Sequence, residues 1–306
     1  MKLILLGKKR KIDTFNRANG ALGGAWQFTN SAWTIVSSQA VCTPTLGAEL
    51  VVNGSFAADA SWSKGTGWTI SAGVASHVSG SASNLAQTIL TAGLWYKATW
   101  TLVSTDGDQA YAIFGSNVNP RYATIAGEQV DTNREVTITT AGIRAQSATL
   151  DASVDNVSYK AITLSDMFAS IVRQKNANIQ VNVTLPSSIT NSAQAGAGGW
   201  LNSYISPTDF IVAYISASTT SYVLKVEKCV GGVYTTLISA AITYVAGASV
   251  KLKGARSGEN LLLDAYYNGV QVGTQQTVSD AGIIDNTRHG MFSTSEFATL
   301  DNFSIA

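Results

Sequence analysis

Few residues in this chain have the type and spacing to do covalent chemistry. Hydrolysis of a glycosidic bond needs two carboxylates facing each other across the scissile bond, as a Glu-x-Asp-x-x-Glu strand would present them. The nearest cluster, Glu128, Asp131 and Glu135, has the wrong spacing, and Asp131-Thr132-Asn133 has the composition of a turn. His77 and His289 are the only histidines; neither has a Cys, His or carboxylate at metal-ligand or triad spacing, and both read as surface or loop residues. Gly196-Ala197-Gly198-Gly199 lacks the Lys and Ser or Thr of a phosphate loop and reads as a turn before the strand of Trp200. Cys42 and Cys229 lie too far apart for a metal knuckle and read as buried thiols. The expectation is therefore a protein that is not an enzyme.

Binding remains, and its chemistry is that of aromatic rings stacking on the apolar face of a sugar while amides, guanidinium groups and hydroxyls bond its oxygens. Seven Trp and eleven Tyr supply the rings. Trp26, Trp33 and Trp100 sit in alternating strand patterns and are assigned to the core. Trp62, Trp68, Tyr111 and Tyr122 are flanked by polar or turn residues, and Arg121 stands beside Tyr122 as a hydroxyl donor. These five form the candidate carbohydrate-binding set, with packing as the competing reading for each ring.

The elements that must position them are strands. Period-two alternation recurs in Phe210 to Ser216, Tyr222 to Lys228, Val233 to Ile238 and Leu261 to Tyr267, and Asn268-Gly269 and Gly231-Gly232 read as hairpin turns. No stretch keeps a helical period; Asp166 to Arg173 is the one short helix or turn allowed. Charged residues are 13% of the chain, about half the usual share, so the surface is built from Ser, Thr, Asn, Gln and Gly. With 20 Lys and Arg against 19 Asp and Glu, no global field draws nucleic acid, and no apolar run approaches the roughly 20 residues of a spanning helix. No nucleic-acid partner and no membrane insertion are expected. The start alone is lopsided: Leu3 to Leu6 is followed by Lys8, Lys9, Arg10 and Lys11, an order and length unlike a secretory signal. Residues 1–12 read as a solvated arm, with anion binding as the alternative.

Two pairs of motifs are nested along the chain. The outer pair is Asp13-Thr14-Phe15 and Asp301-Asn302-Phe303; the inner pair is Glu49-Leu50-Val51-Val52-Asn53-Gly54-Ser55-Phe56 and Asp155-Asn156-Val157. A sandwich whose first and last strands pair would open and close on related motifs, so nesting predicts one domain inserted in another: 13–46 with 163–306 outside, 47–162 inside. The fold class expected is all-β, two jelly-roll sandwiches, and the insertion implies that the outer one folds without the inner. The outer residues, from Asp13 to Gly20 with Leu22-Gly23, Trp26 and Trp33-Thr34-Ile35, and finally Gly290 to Phe303, resemble the concanavalin A-like (laminin G-like) sandwiches; the match covers two pieces of the chain. The inner motif, with Trp62 and Trp68, is similar to the galactose-binding-like jelly rolls of the family 4, 9 and 22 carbohydrate-binding modules. That resemblance implies a structural calcium near the paired terminal strands, placed on Glu49 and Asp155, with an Asp-Asn turn as the competing reading of the latter. Both folds host lectins, spacers and enzymes, so fold alone does not choose among them.

Adhesion-type domains without an export signal or disulfides suit a bacteriophage virion, made in the host cytoplasm and active outside it. The leading expectation is a non-catalytic virion protein of a tail, fibre or capsid decoration, homo-oligomeric in its assembly, whose lectin-like domains contact neighbouring virion subunits or host surface glycans. The alternatives are a free carbohydrate-binding module or lectin of a bacterial secreted system, and a glycoside hydrolase with an unrecognised site.

Overall fold

The structure, a computed structural model, describes residues 11–78, 81–105, 110–115, 126–134, 139–145, 151–187, 190–217 and 221–306. The arm up to Arg10, the candidates Arg121 and Tyr122, and Glu135 lie outside the described residues.

Strands dominate, and their pairings sort into four antiparallel sheets. The first sheet runs Gly20–Ala21, Trp33–Val36, Gln39–Cys42, Thr299–Ile305, Ala177–Thr184, Ala248–Ser257, Asn260–Tyr267, Val270–Val278, with Lys11–Asp13 also paired to Thr299–Ile305. The second runs Phe168–Val172, Arg288–Ser293, Ala195–Leu201, Phe210–Ala217, Tyr222–Val230, Val233–Ile242. Residues 46–162 make the other two. The third sheet runs Gly127–Arg134, Trp95–Thr105, Ala152–Ile162, Val74–His77, Trp68–Ser71, with Leu46–Glu49 also on Ala152–Ile162; the fourth runs Ala110–Phe114, Thr140–Ala145, Ser83–Thr88, Ser63–Lys64. The described strands thus form two β-sandwiches, an outer one from the first two sheets and an inner one from the last two.

Side-chain alternation shows how the sheets stack. Ile179, Val181, Val250 and Leu252 of the first sheet share a core with Ile211, Ala213 and Ile215 of the second. Tyr96, Ala98, Trp100 and Leu102 of the third share one with Leu85, Ala112 and Ile143 of the fourth. A third cluster joins the sandwiches: Phe168, Phe210, Val212, Tyr214 and Phe292, on the other face of the second sheet, meet Trp95 and Ile162 of the third. The molecule is a stack of four sheets, with the first and fourth at its two ends. Phe210 to Ser216 is buried on both faces, which is why its residues form a continuous apolar run.

The face between the sandwiches also carries a polar seam. Arg134 donates through Nη2 to Glu227 Oε1 at 2.7 Å, and Glu227 also accepts from Tyr214 Oη at 2.9 Å and Thr236 Oγ1 at 3.0 Å. The Arg134 guanidinium lies 3.9 Å from the Tyr234 ring centroid, and Trp95 Nε1 donates to Tyr234 Oη at 3.0 Å. Burial disfavours the Arg134 charge, but the Glu227 carboxylate outweighs it and holds the guanidinium protonated; burial and that same carboxylate push the Tyr214 phenol well up. Thr132 bonds Thr294, Lys97 pairs with Glu296 at 2.9 Å, and Val130 bridges Asn191 through the backbone. Where the chain crosses between sandwiches, the buried Asp166 accepts from Thr29 Oγ1, from Asn30 Nδ2 at 3.0 Å and from the Thr45 N–H at 2.9 Å.

The nested motifs become matched clasps. Lys11–Asp13 pairs with the last strand of the outer sandwich, and Leu46–Glu49 with the last strand of the inner one. Asn156 and Asn302 both adopt left-handed backbone, at φ 53° and 48°, within those closing strands. In each, the Asn N–H donates to the preceding Asp Oδ1 at 2.6 Å and the carboxamide to its Oδ2 at 3.2 Å. Asparagine tolerates this conformation because its short side chain bonds locally.

Several local expectations change. Ala195–Leu201 is a central strand, not a turn: a Cβ at Gly196 would sit on the Ala213 carbonyl, and one at Gly198 would lie 2.8 Å from the Phe168 ring, so glycine admits the neighbours. Asp131-Thr132-Asn133 lies within the strand Gly127–Arg134. Of the helix or turn allowed over Asp166 to Arg173, only Leu164–Met167 is a 3-10 turn; Phe168–Val172 is a strand. A one-turn helix, Ala281–Ile284, went unsignalled. His77 and His289 are buried, not surface residues.

Candidate functional site

The outward face of the fourth sheet gathers a polar and aromatic set. Along Ala110–Phe114, Thr140–Ala145 and Ser83–Thr88, the residues Ala110, Ala112, Ala141, Ile143 and Leu85 point into the core, so Tyr111, Arg144 and Asn84 point out. The register places Tyr111 opposite Arg144 and Arg144 opposite Asn84, one row across three strands. Arg144 Nη1 donates to Asn84 Oδ1 at 2.9 Å, which orients the guanidinium along the sheet. The three side chains are half-buried, as expected of residues standing on a sheet face.

In the next row Ile113 stands opposite Gly142, Gly142 opposite Ala86, and Ala86 opposite Ser63, so the row is small over its last three members. At Gly142 (φ 150°) a Cβ would strike the Leu85 carbonyl, so only glycine fits there. Low residues between two polar rows make a trough. Beyond them Thr140 stands opposite Thr88, and a groove of about 480 Å³ opens among Ser61, Ser63, Thr88, Thr140 and Val52. Gln87 braces its wall, accepting from the Val52 N–H at 3.1 Å and donating to the Val52 carbonyl at 2.7 Å. A second hollow of about 120 Å³ lies along Asn84, Tyr111 and Arg144. No carboxylate lines either among the described residues. A ring edge, a guanidinium, an amide and a bank of hydroxyls suit hydrogen bonding to a polyhydroxylated ligand.

Of the sequence candidates that are described, Trp62, Trp68 and Tyr111, Tyr111 stands on this face; Arg121 and Tyr122 lie outside the described residues. Trp62 and Trp68 are core residues: Trp62 packs 5.3 Å from the Phe56 ring and donates to the Asn53 carbonyl at 3.0 Å, while Trp68 packs 5.2 Å from His77 and donates to the Ser83 carbonyl at 3.3 Å. Both rings are more than 90% covered, leaving no face for a sugar, so packing is the reading the structure gives them. Arg144 and Asn84 were missed. Little in the sequence signals them: Arg144 is a lone polar residue in Ala141 to Ala145, and Asn84 follows another polar residue, Ser83.

The calcium pair also has other work. Glu49 Oε1 accepts from the N–H groups of Leu50, Val51 and Tyr159 at 3.1, 2.9 and 3.0 Å, and Oε2 accepts from Ser158 Oγ. Asp155 is engaged by its neighbour Asn156 through both oxygens. N–H and O–H donors occupy the lone pairs a calcium ion would need, and the described residues include no group of three or more acidic, His or Cys side chains able to hold a metal. What the structure shows this pair doing is closing a clasp, the Asp-Asn turn being the competing reading given for Asp155. Asp13 is the outer counterpart: burial raises its carboxyl, but bonds from Arg17, Trp26 Nε1 and the Phe15 N–H outweigh that and hold it below its ordinary value.

The thiols of Cys42 and Cys229 are buried and unpaired, and burial raises both, Cys229 to about 12. No helix among the described residues is long and apolar enough to cross a membrane.

No protein-family model matches the chain, and comparison with curated proteins gives no match. Among solved structures, a xylan β-1,4-xylosidase from Bacillus halodurans C-125 is similar at 17% identity and TM-score 0.36, over 47% of this chain and 31% of that one, under a third of its length. A carbohydrate-binding module, CBM66 from Bacillus subtilis, is similar at 14% identity and TM-score 0.32, over 45% of this chain and 80% of that one. The CBM2 module of Lactobacillus casei BL23 phage J-1 evolved Dit is similar at 10% identity and TM-score 0.27, over 96% of this chain and 93% of that one. Scores this low support no transfer of function.

Proposed function

We propose that this chain is a non-catalytic carbohydrate-binding protein that recognises glycans on the outward face of its fourth sheet. The observation that carries the reading is the row Tyr111, Arg144, Asn84 beside a hydroxyl-lined groove on one sheet face. Tyr111 offers an aromatic surface, the Arg144 guanidinium and Asn84 carboxamide offer fixed hydrogen bonds, and Ser61, Ser63, Thr88 and Thr140 offer hydroxyls along the trough. The third sheet holds this face from behind and the outer sandwich holds the third sheet, so the site is pre-organised.

A virion setting, as a tail, fibre or capsid-decoration subunit contacting host glycans or neighbouring subunits, accords with the low charge and the joined adhesion-type sandwiches. Lys11 and Ile12 are taken up in the strand that closes the outer sandwich, so residues 1–10, ahead of that strand, are then the part of the arm that would dock on a neighbour. A glycan array is the direct test of sugar recognition. The full chain should bind a subset of glycans, and Tyr111→Ala and Arg144→Ala should each weaken that binding at least tenfold with an unchanged melting curve. Binding insensitive to both variants would place recognition elsewhere. Mass spectrometry of purified phage particles tests the setting: the chain absent from particles would reject it.

A further inference from the structure

The outward face of the first sheet, at the opposite end of the stack, repeats the arrangement. Tyr266 stands opposite Lys251, Lys251 opposite Gln180, and Gln180 opposite Ser304. Their strand neighbours Val250, Leu252, Ile179, Val181, Ala265 and Tyr267 lie in the core, so alternation turns Tyr266, Lys251 and Gln180 outward, with Ser304 buried at the end of the row. Tyrosine, cation and amide thus occur in the same order on three adjacent antiparallel strands at both ends of the molecule. Counting Ser304, the row spans about 14 Å across the strands. Along it lies a groove of about 300 Å³, lined by Asn178, Gln180, Lys251 and Ser304.

Two features distinguish this row from an ordinary solvated sheet face. The Lys251 ammonium sits 5.1 Å from the Tyr266 ring centroid, so the cation is held over a ring. Among the described residues no carboxylate pairs with it. The nearby acid, Asp264, is already engaged by Lys253 at 3.8 Å and by Gln275 Nε2 at 3.2 Å. The carboxamides of Asn178 and Gln180 have no side-chain partner among the described residues either. An uncompensated cation between free amides and a ring calls for an anionic, hydroxyl-bearing ligand. Arg144 is likewise without a carboxylate partner among the described residues.

We propose that Tyr266, Lys251 and Gln180 form a second binding site, that both rows take carbohydrate bearing carboxylates, as uronic acids do, and that the chain is two-ended. The ligand class rests on the fourth-sheet reading; the existence of the second site rests on the first sheet alone. Four sheets packed about 10 Å apart put the two faces roughly 30 Å from each other, so both can be filled at once. Two linked sites raise avidity for a polymer and let one chain cross-link two strands.

The test is calorimetric titration of the full chain with hexagalacturonate at low salt, with neutral xylohexaose as comparison. Two equivalents should bind per chain, Lys251→Met should remove one, Arg144→Met the other, and the double variant should bind none. Xylohexaose should bind at least tenfold more weakly. Melting curves of the variants should match the parent, because Lys251 and Arg144 stand on outward faces. A single site lost with Arg144→Met and untouched by Lys251→Met overturns the second site while leaving the fourth-sheet reading in place. A single site lost only with Lys251→Met supports the second site and rejects the other. No binding of hexagalacturonate by the parent chain overturns the proposal.

Discussion

The outer and inner sandwiches are opened and closed by the same local chemistry, yet they meet through residues that no motif repeats. Each closes with an Asp-Asn pair in the same backbone conformation, and each opens with an acid that accepts hydrogen bonds from its own clasp. At the interface the roles split. The inner sandwich contributes a cation and an indole, Arg134 and Trp95; the outer contributes a carboxylate and an aromatic floor, Glu227 with Tyr214, Phe210 and Phe292. Repeated motifs therefore tell where each domain begins and ends, while the coupling that makes them one body is carried by unique long-range pairs. The insertion pattern alone suggests an outer sandwich that folds by itself; the buried floor shows what excising residues 47–162 would expose.

Breaking the comparison at its centre gives the largest expected effect. Glu227→Ala leaves the Arg134 guanidinium buried without its partner, a class of change that costs about 3–5 kcal/mol. Urea unfolding followed by tryptophan fluorescence should show that loss, and because Trp95 and Arg134 belong to the inner sandwich, both sandwiches should unfold earlier. A drop confined to the outer sandwich would mean that the seam does not couple them.

Acid should separate the two regions next. His289 lies in the outer sandwich, where burial lowers its pKa from 6.5 to about 4. The backbone N–H of Trp200 donates to Nδ1 at 3.2 Å, so Nε2 carries the proton and donates to the Gln174 carbonyl at 2.7 Å. In the unfolded chain the imidazole charges near its ordinary value, so between about pH 6.5 and 4 the unfolded state binds more protons than the folded one. Stability is full above that window and falls as pH falls through it, by up to about 3 kcal/mol. His289→Asn should flatten the dependence in urea midpoints measured from pH 7 to pH 4. An unchanged slope would show that His289 is not the group responsible.

How much of this was legible follows from the same split. The fold class, the core placement of Trp26, Trp33 and Trp100, and the clasps were readable because alternation and Asp-Asn turns are local. Ala195–Leu201 was misread because glycines that admit close backbone neighbours look the same in sequence as glycines that turn. Trp62 and Trp68 stayed open between binding and packing because polar neighbours in sequence do not reveal which way an indole points; each buries its ring and satisfies its N–H on a backbone carbonyl. The row of Tyr111, Arg144 and Asn84 depends on the register of three strands, and the register between Ser83–Thr88 and Thr140–Ala145 joins segments more than fifty residues apart.

The smallest expected effect sharpens the likeness of the clasps. Asn156 and Asn302 have nearly the same φ and the same two bonds to the preceding Asp, so the same substitution should cost the same in either sandwich. Asn→Ala forces an ordinary L-residue into left-handed backbone and removes the carboxamide bond, a cost of about 1–2 kcal/mol. Asn→Gly loses the bond but relieves the strain, so it should cost less than the alanine in both places. Urea midpoints of the four variants check this, and the pattern matters more than the size. Equal losses at positions 156 and 302, each partly recovered by glycine, would establish that one local device closes both domains. A loss at Asn302 with none at Asn156 would show that the inner strand is held by the Glu49 bonds to Ser158 and Tyr159 instead, and that the two clasps share a sequence but not a duty.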